Sequence, residues 1–200
     1  MPEVADTPES WPVVSSEDRH RDGWIVALRK DYLKRPGHPE DEPFGRLVLE
    51  HPGAVVVLAL DDDDRVFCLW QYRHPAERRF VELPAGLLDV DGEDPLETAR
   101  RELVEEAGLE ATDWVALGTA YSSPGISAEI HHYFVARGLS EADRGDFVAR
   151  HEEADMETAW VPYADLRAAV LDGRVTDAHT VLGVLLAGDW GLAGRAEGRE

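Results

Sequence analysis

Lysine is almost missing from this chain: Lys30 and Lys34 stand beside 18 arginines, and the 20 basic residues are outnumbered by 41 Asp and Glu. A net charge of −21 argues against a partner gripped through a nucleic-acid backbone, which needs clustered Lys and Arg to neutralise phosphates. No nucleic-acid partner is expected. Acidity does not exclude a phosphorylated small molecule, because divalent cations can stand between protein carboxylates and phosphate oxygens. Cysteine is also scarce. The single Cys68 lies in the apolar run Val66 to Trp70, so neither a disulfide framework nor a cysteine zinc site is available, and it reads as a small buried hydrophobe. Long hydrophobic stretches are absent too. The longest, Ala54 to Leu60, falls far short of the roughly 18 to 20 residues of a membrane helix, and the start of the chain lacks the basic-then-apolar pattern of a signal peptide. A cytoplasmic protein with no membrane partner is expected, and no internal repeat is visible.

Two hundred residues suit one catalytic domain with a small accessory segment. Residues 1–48 read as an N-terminal extension with short strands, 49–190 as the catalytic domain and 191–200 as a flexible tail. Within the extension, Met1 to Asp18 is rich in Pro, Glu and Ser with little apolar periodicity, whereas Trp24, Val26 and Leu28 alternate as in a strand and Phe44 to Leu49 is a second candidate. The wholly apolar Ala54 to Leu60, between Pro52-Gly53 and the acidic turn Asp61 to Asp64, predicts a strand buried on both faces, with Val66 to Arg73 as its neighbour. Further strands are predicted at Trp114 to Tyr121, Ile130 to Ala136 and Thr158 to Val161, and helices at Tyr163 to Leu171 and Thr176 to Ala187. The mixture predicts an α/β fold, a mixed β-sheet sandwiched between helices.

The clearest helix follows Asp94, a good N-cap, with Pro95 at the first helical position, Glu97 placed for a capping box and Gly108 as the stop. Leu96, Ala99, Leu103 and Ala107 line one face by their spacing. Glu102, Glu105 and Glu106 share another arc. Like charges at this spacing destabilise a helix by a few tenths of a kcal/mol, so they need solvent or a cation. By themselves three such glutamates are a solvated acidic face; a hard divalent ion is the other reading. The eight histidines show no ligand spacing that competes with these carboxylates, and His131 and His132 point to opposite faces of their strand.

The surrounding residues decide between the two. Gly86 to Leu109, reading GLLDVDGEDPLETARRELVEEAGL, closely resembles the Nudix box: Gly, five residues, Glu, seven residues, Arg-Glu, an aliphatic, any residue, Glu-Glu, any residue, Gly, an aliphatic. The match is complete from Glu93 onward. Six residues rather than five separate Gly86 from Glu93, an insertion in the loop ahead of the helix. Glu82 to Gly86, reading ELPAG, resembles the entry to the box in the ADP-ribose pyrophosphatase branch. Gln71-Tyr72-Arg73 resembles the same branch, and so does Pro124, sixteen residues beyond Gly108. Glu152 to Met156 resembles the catalytic loop of actinobacterial members.

That resemblance implies a Nudix fold and a homodimer whose N-terminal strands cross to the partner subunit. It implies hydrolysis of the pyrophosphate of ADP-ribose to AMP and ribose 5-phosphate with Mg²⁺ or Mn²⁺ as cofactor. The metal ligands implied are Glu102, Glu106 and the Ala85 carbonyl. Glu105 and Arg101 are candidate catalytic residues, Arg101 by orienting the glutamates, and the water-activating base falls on Glu153 in preference to Glu152. Arg73, Glu82, Pro124, Gly125 and Glu129 are the candidate substrate-binding residues. The box is silent about the groups attached to the pyrophosphate, so another nucleoside-diphosphate sugar or dinucleotide is the alternative substrate. A non-catalytic ADP-ribose sensor is the rival from another class.

Overall fold

The computed structural model describes residues 3–23, 26–145 and 155–194. The chain divides into two compact units, Met1–Pro52 with Ser123–Glu129, and Gly53–Ser122 with Ile130–Glu200.

In the smaller unit, β1 (Val13–His20), β2 (Ala27–Leu33) and β3 (Phe44–Glu50) form an antiparallel sheet in that order. β1 corrects the expectation of an unpatterned start. All eight of its residues are exposed, so it carries no buried alternation for the sequence to display. What holds it is backbone pairing to β2 and the hydroxyl of Ser16 donating to Asp31 at 2.7 Å. Arg29 in turn bonds Asp31 at 2.8 Å and also engages Glu50. The strand expected around Trp24 begins at Ala27; Trp24 and Ile25 themselves lie outside the described residues. The segment Ser123–Glu129 is tied to β3: the Leu49 N–H donates to the Ile126 carbonyl at 2.8 Å, and Ser127 Oγ to the Leu49 carbonyl at 3.1 Å.

The larger unit contains two sheets. One is mixed, in the order β7-β4-β9-β8, built from β4 (Ala54–Ala59), β7 (Ala85–Leu87), β8 (Leu109–Tyr121) and β9 (Ile130–Glu141). β4 runs parallel to β9 and antiparallel to β7. The other is antiparallel, in the order β10-β5-β6, from β5 (Arg65–Arg73), β6 (Arg78–Glu82) and β10 (Glu157–Pro162). Every residue of β4 is buried, and alternation along it separates two cores. Val56, Leu58 and Leu60 pack with Tyr163, Leu166 and Val170 of α2 (Tyr163–Leu171) and Val184 and Ala187 of α3 (Ala178–Asp189). Val55, Val57 and Ala59 pack instead with Ala99 and Leu103 of α1 (Pro95–Glu102) and the turn that follows it. The mixed sheet thus has helices on both faces. α3 starts two residues later than its apolar pattern implied, because Asp177 is the N-cap and accepts from the Thr180 N–H at 2.7 Å. Burial pushes the Cys68 thiol up to about 12, which leaves it an unreactive core residue. Among the described residues no helix is long and apolar enough to cross a membrane.

Candidate active site

Asp94 caps α1 by accepting from the Leu96 N–H at 2.8 Å, with Pro95 next. The expected capping box does not close, because the Glu97 carboxylate turns outward to Arg100 at 2.7 Å. The helix also does not run unbroken to Gly108. After Glu102 it passes into one π-turn, Leu103–Ala107, which Gly108 ends in the left-handed region at φ 66°. A π-turn closes its hydrogen bonds across five residues rather than four, so the step per residue along Leu103–Ala107 departs from 100°, while Glu102 and Glu106 still face the Ala85–Gly86 backbone. Such turns concentrate at functional sites. The apolar stripe stays buried at Ala99 and Leu103, with Leu96 and Ala107 packed at its margins.

Two adjacent elements bring the carboxylates to the sheet edge. β7 pairs with β4 through Val56 with Ala85 and Val55 with Gly86, and the Val57 N–H donates to the Pro84 carbonyl at 2.8 Å, so the ELPAG backbone is fixed by the core strand. Against it, Glu106 Oε2 accepts from the Ala85 N–H at 2.9 Å. Glu102 packs directly over Gly86, where any Cβ would fall inside its carboxyl group. Glycine is therefore required at position 86 for close approach, not for an unusual backbone angle.

Arg101 gathers the neighbouring acids: it contacts Glu102 at 2.7 Å, Asp89 at 3.3 Å, Glu93 at 3.4 Å and Glu105 at 3.6 Å. Glu93, which follows the inserted residue, also accepts from Thr98 Oγ1 at 2.8 Å and so ties the loop to the helix. Burial pushes the Glu102 carboxyl up to about 7; Arg101 opposes that rise and Glu105 adds to it. A carboxylate held that way lacks positive charge. The carboxylates of Glu102 and Glu106 beside the Ala85–Gly86 backbone are hard, anionic oxygen donors of the kind a hard divalent cation takes. Nearby, Arg73 makes a bidentate pair with Glu82 at 2.9 and 2.6 Å, and Glu82 is buried.

Of the residues expected at the site, the larger unit therefore holds Ala85, Glu102, Glu105, Glu106, Arg101, Arg73 and Glu82. Pro124, Gly125 and Glu129 belong to the smaller unit, where Glu129 lies 3.3 Å from His51. Glu152 and Glu153 lie outside the described residues. Sequence reasoning overlooked Thr98 and Asp89; Thr98 carried the available signal, a polar residue inside a helix five positions after Glu93. Among the described residues the one group of three His, Asp or Glu ligand atoms within 4.8 Å of one another lies away from the carboxylate helix, at His38, Glu40 and Asp41, where Arg35 pairs with Asp41 at 2.6 Å.

A family profile for the NUDIX domain matches residues 50–181. Over 172 residues the chain is 45% identical to the ADP-ribose pyrophosphatase of Mycobacterium tuberculosis, covering 86% of this chain and 80% of that protein. It is 38% identical over 159 residues to the ADP-ribose pyrophosphatase of Bacillus subtilis, covering 76% and 81%. A solved ADP compounds hydrolase shares the fold, with a TM-score of 0.73 over 93% of this chain and 96% of that one at 21% identity. The chain belongs to the Nudix family.

Proposed function

We propose that this Nudix enzyme hydrolyses the pyrophosphate of ADP-ribose to AMP and ribose 5-phosphate in the cytoplasm, with Mg²⁺ or Mn²⁺ as its cofactor. The observation that carries the reading is the convergence of Glu102 and Glu106 on the Ala85–Gly86 backbone, on a helix whose full carboxylate pattern is intact. A sensor that binds without cutting has no use for that set. Similarity to two ADP-ribose pyrophosphatases supports the substrate.

In this reading Glu102, Glu106 and the Ala85 carbonyl are the metal ligands, with Glu105 beside them. When bound there, a divalent cation neutralises pyrophosphate oxygens and lowers the pKa of a coordinated water. Arg101 holds Glu102 and Glu105 in place by ion pairing, and Arg73, set by its fork on Glu82, binds the substrate. Glu82, Pro124, Gly125 and Glu129 are the further candidates for binding the substrate. Glu153, favoured over Glu152, takes the proton of the attacking water as its oxygen bonds to phosphorus and the bridging P–O bond breaks. Glutamates whose lone pairs are occupied by a cation are poor bases, so a separate carboxylate is required. The enzyme works as a homodimer built through the N-terminal extension, a reading supported by the exposure of Trp11, Val13, Val14 and Leu47 in the smaller unit.

The test is release of the nucleoside monophosphate from ADP-ribose (AMP) and from a panel of other nucleotide sugars and dinucleotides, with and without Mg²⁺. Metal-dependent release with ADP-ribose preferred is expected; a stronger preference for another compound would reassign the substrate, and no release from any would favour the sensor. In the same assay Glu153→Gln should lower kcat by about 10² to 10⁴ with KM little changed, and Glu152→Gln much less.

A further inference from the structure

The last turn of the carboxylate helix is secured from outside by a residue to which the reaction gives no role. Helix C-termini leave backbone carbonyls without intrahelical donors. Here the Gly108 N–H serves Leu103 and Val104, while the Glu106 carbonyl accepts from Arg144 Nη2 at 2.6 Å. Arg144 lies across Gly108, where a Cβ would meet its Nε at 3.1 Å, and the Ala142 N–H donates to the Gly108 carbonyl at 2.9 Å. The segment just after β9 is thus bonded to the end of the helix at two points. Glu106 is itself held at two points, its carboxylate by the Ala85 N–H and its backbone by Arg144.

We propose that Arg144 is a positioning residue for Glu106: its hydrogen bond to the Glu106 carbonyl fixes the π-turn so that the Glu106 carboxylate meets the Ala85 backbone in metal-binding geometry. A π-turn has weaker internal bonding than an α-turn, so it needs an external partner to hold one register. A guanidinium at a helix C-terminus also complements the helix dipole. That second effect is purely structural, changing stability without changing metal affinity, which gives the test its discriminating power. The inference rests on Glu106 being a metal ligand.

Mn²⁺ binding to the full chain, followed by electron paramagnetic resonance beside thermal unfolding, tests both. Outer-shell partners of metal ligands are worth about 10- to 100-fold in affinity, and a bond to the ligand's backbone belongs at the lower end, so Arg144→Ala should weaken Mn²⁺ binding about 10-fold. Arg144→Gln keeps a donor and should lose less. Arg100→Ala removes a nearby charge that, among the described residues, pairs with Glu97, and should stay within about twofold of the parent protein. Arg144→Ala binding Mn²⁺ like the parent, or Arg100→Ala losing as much as Arg144→Ala, overturns the proposal. If Arg144→Ala does not fold, Arg144→Met against Arg144→Gln makes the same comparison: weaker Mn²⁺ binding in the Met variant supports it, and equal binding overturns it. Glu106→Gln separates the two levels. If it leaves Mn²⁺ binding intact, the assignment of Glu106 fails; if it abolishes binding while the Arg144 variants do not weaken it, only the positioning role fails.

Discussion

The carboxylate helix and the N-terminal sheet stand at opposite ends of one scale. α1 and its π-turn are backed by two residues of zero exposure, Ala99 and Leu103, packed on β4, whereas β1 exposes all eight of its residues. The first region is specified by burial; the second relies on backbone pairing and on ion pairs, of which the one on Asp31 is buried. Exposed ion pairs are worth about 0 to 1 kcal/mol each, so β1 has little of its own to hold it rigid, while the helix is locked against a core. A site that must place carboxylates to within fractions of an ångström belongs on the locked element.

Substitutions and one titration sharpen that contrast. The largest effect is expected at Gly86→Ala. A methyl group there intrudes on Glu102, and overpacking a rigid site typically costs about 1 to 3 kcal/mol, so the variant should be destabilised and should lose far more activity than its unfolding midpoint accounts for. Calorimetry beside turnover checks this; near-normal kcat would mean that Glu102 can move without consequence. A similarly located prediction concerns Glu102 and pH. Its folded-state value is raised from 4.5 to about 7, chiefly by burial, so the native state binds the proton more tightly than the unfolded chain does. The stabilisation is complete below the unfolded value and is lost as pH rises through about 7. Metal-free protein should therefore lose thermal stability across that window, and a divalent cation should restore more of it at about pH 8 than at about pH 5. A metal increment independent of pH would count against Glu102 as a ligand. A last pair of variants, whose effects are on stability and assembly alone, separates the two regions directly. Val57→Ala, in the core behind the helix, should cost about 2 kcal/mol, whereas Val13→Ser with Val14→Ser should change the unfolding of the larger unit by less than about 0.5 kcal/mol. The same double variant should shift sedimentation toward monomer; an unchanged dimer would remove β1 from the proposed interface.

Legibility in the sequence follows the same scale. Ala54 to Leu60 could be read because burial on both faces leaves it no polar position, and the stripe Leu96, Ala99, Leu103, Ala107 because one buried face imposes a period. The box residues were readable as a spaced pattern. The π-turn was not, since Leu103 to Ala107 contains neither proline nor glycine and the change of register arises from packing and from partners distant in sequence. β1 was missed for want of any buried face, and the bonds from Arg144 to Glu106 and from Thr98 to Glu93 join positions whose residue types are ordinary. The open capping box at Glu97 shows the converse: a motif can be present in letters while an ion pair with Arg100 claims the side chain.

The parallel pairing of β4 with β9 bears on how the molecule is made. β4 is translated before the carboxylate helix and its partner strand well after it, so the emerging chain carries a bare, wholly apolar, β-prone segment through the synthesis of everything between. Pairings this distant close slowly, and unsatisfied strand edges are where nascent chains associate. β7, made earlier, can cover one edge of β4, but the other edge stays open until β9 has been made.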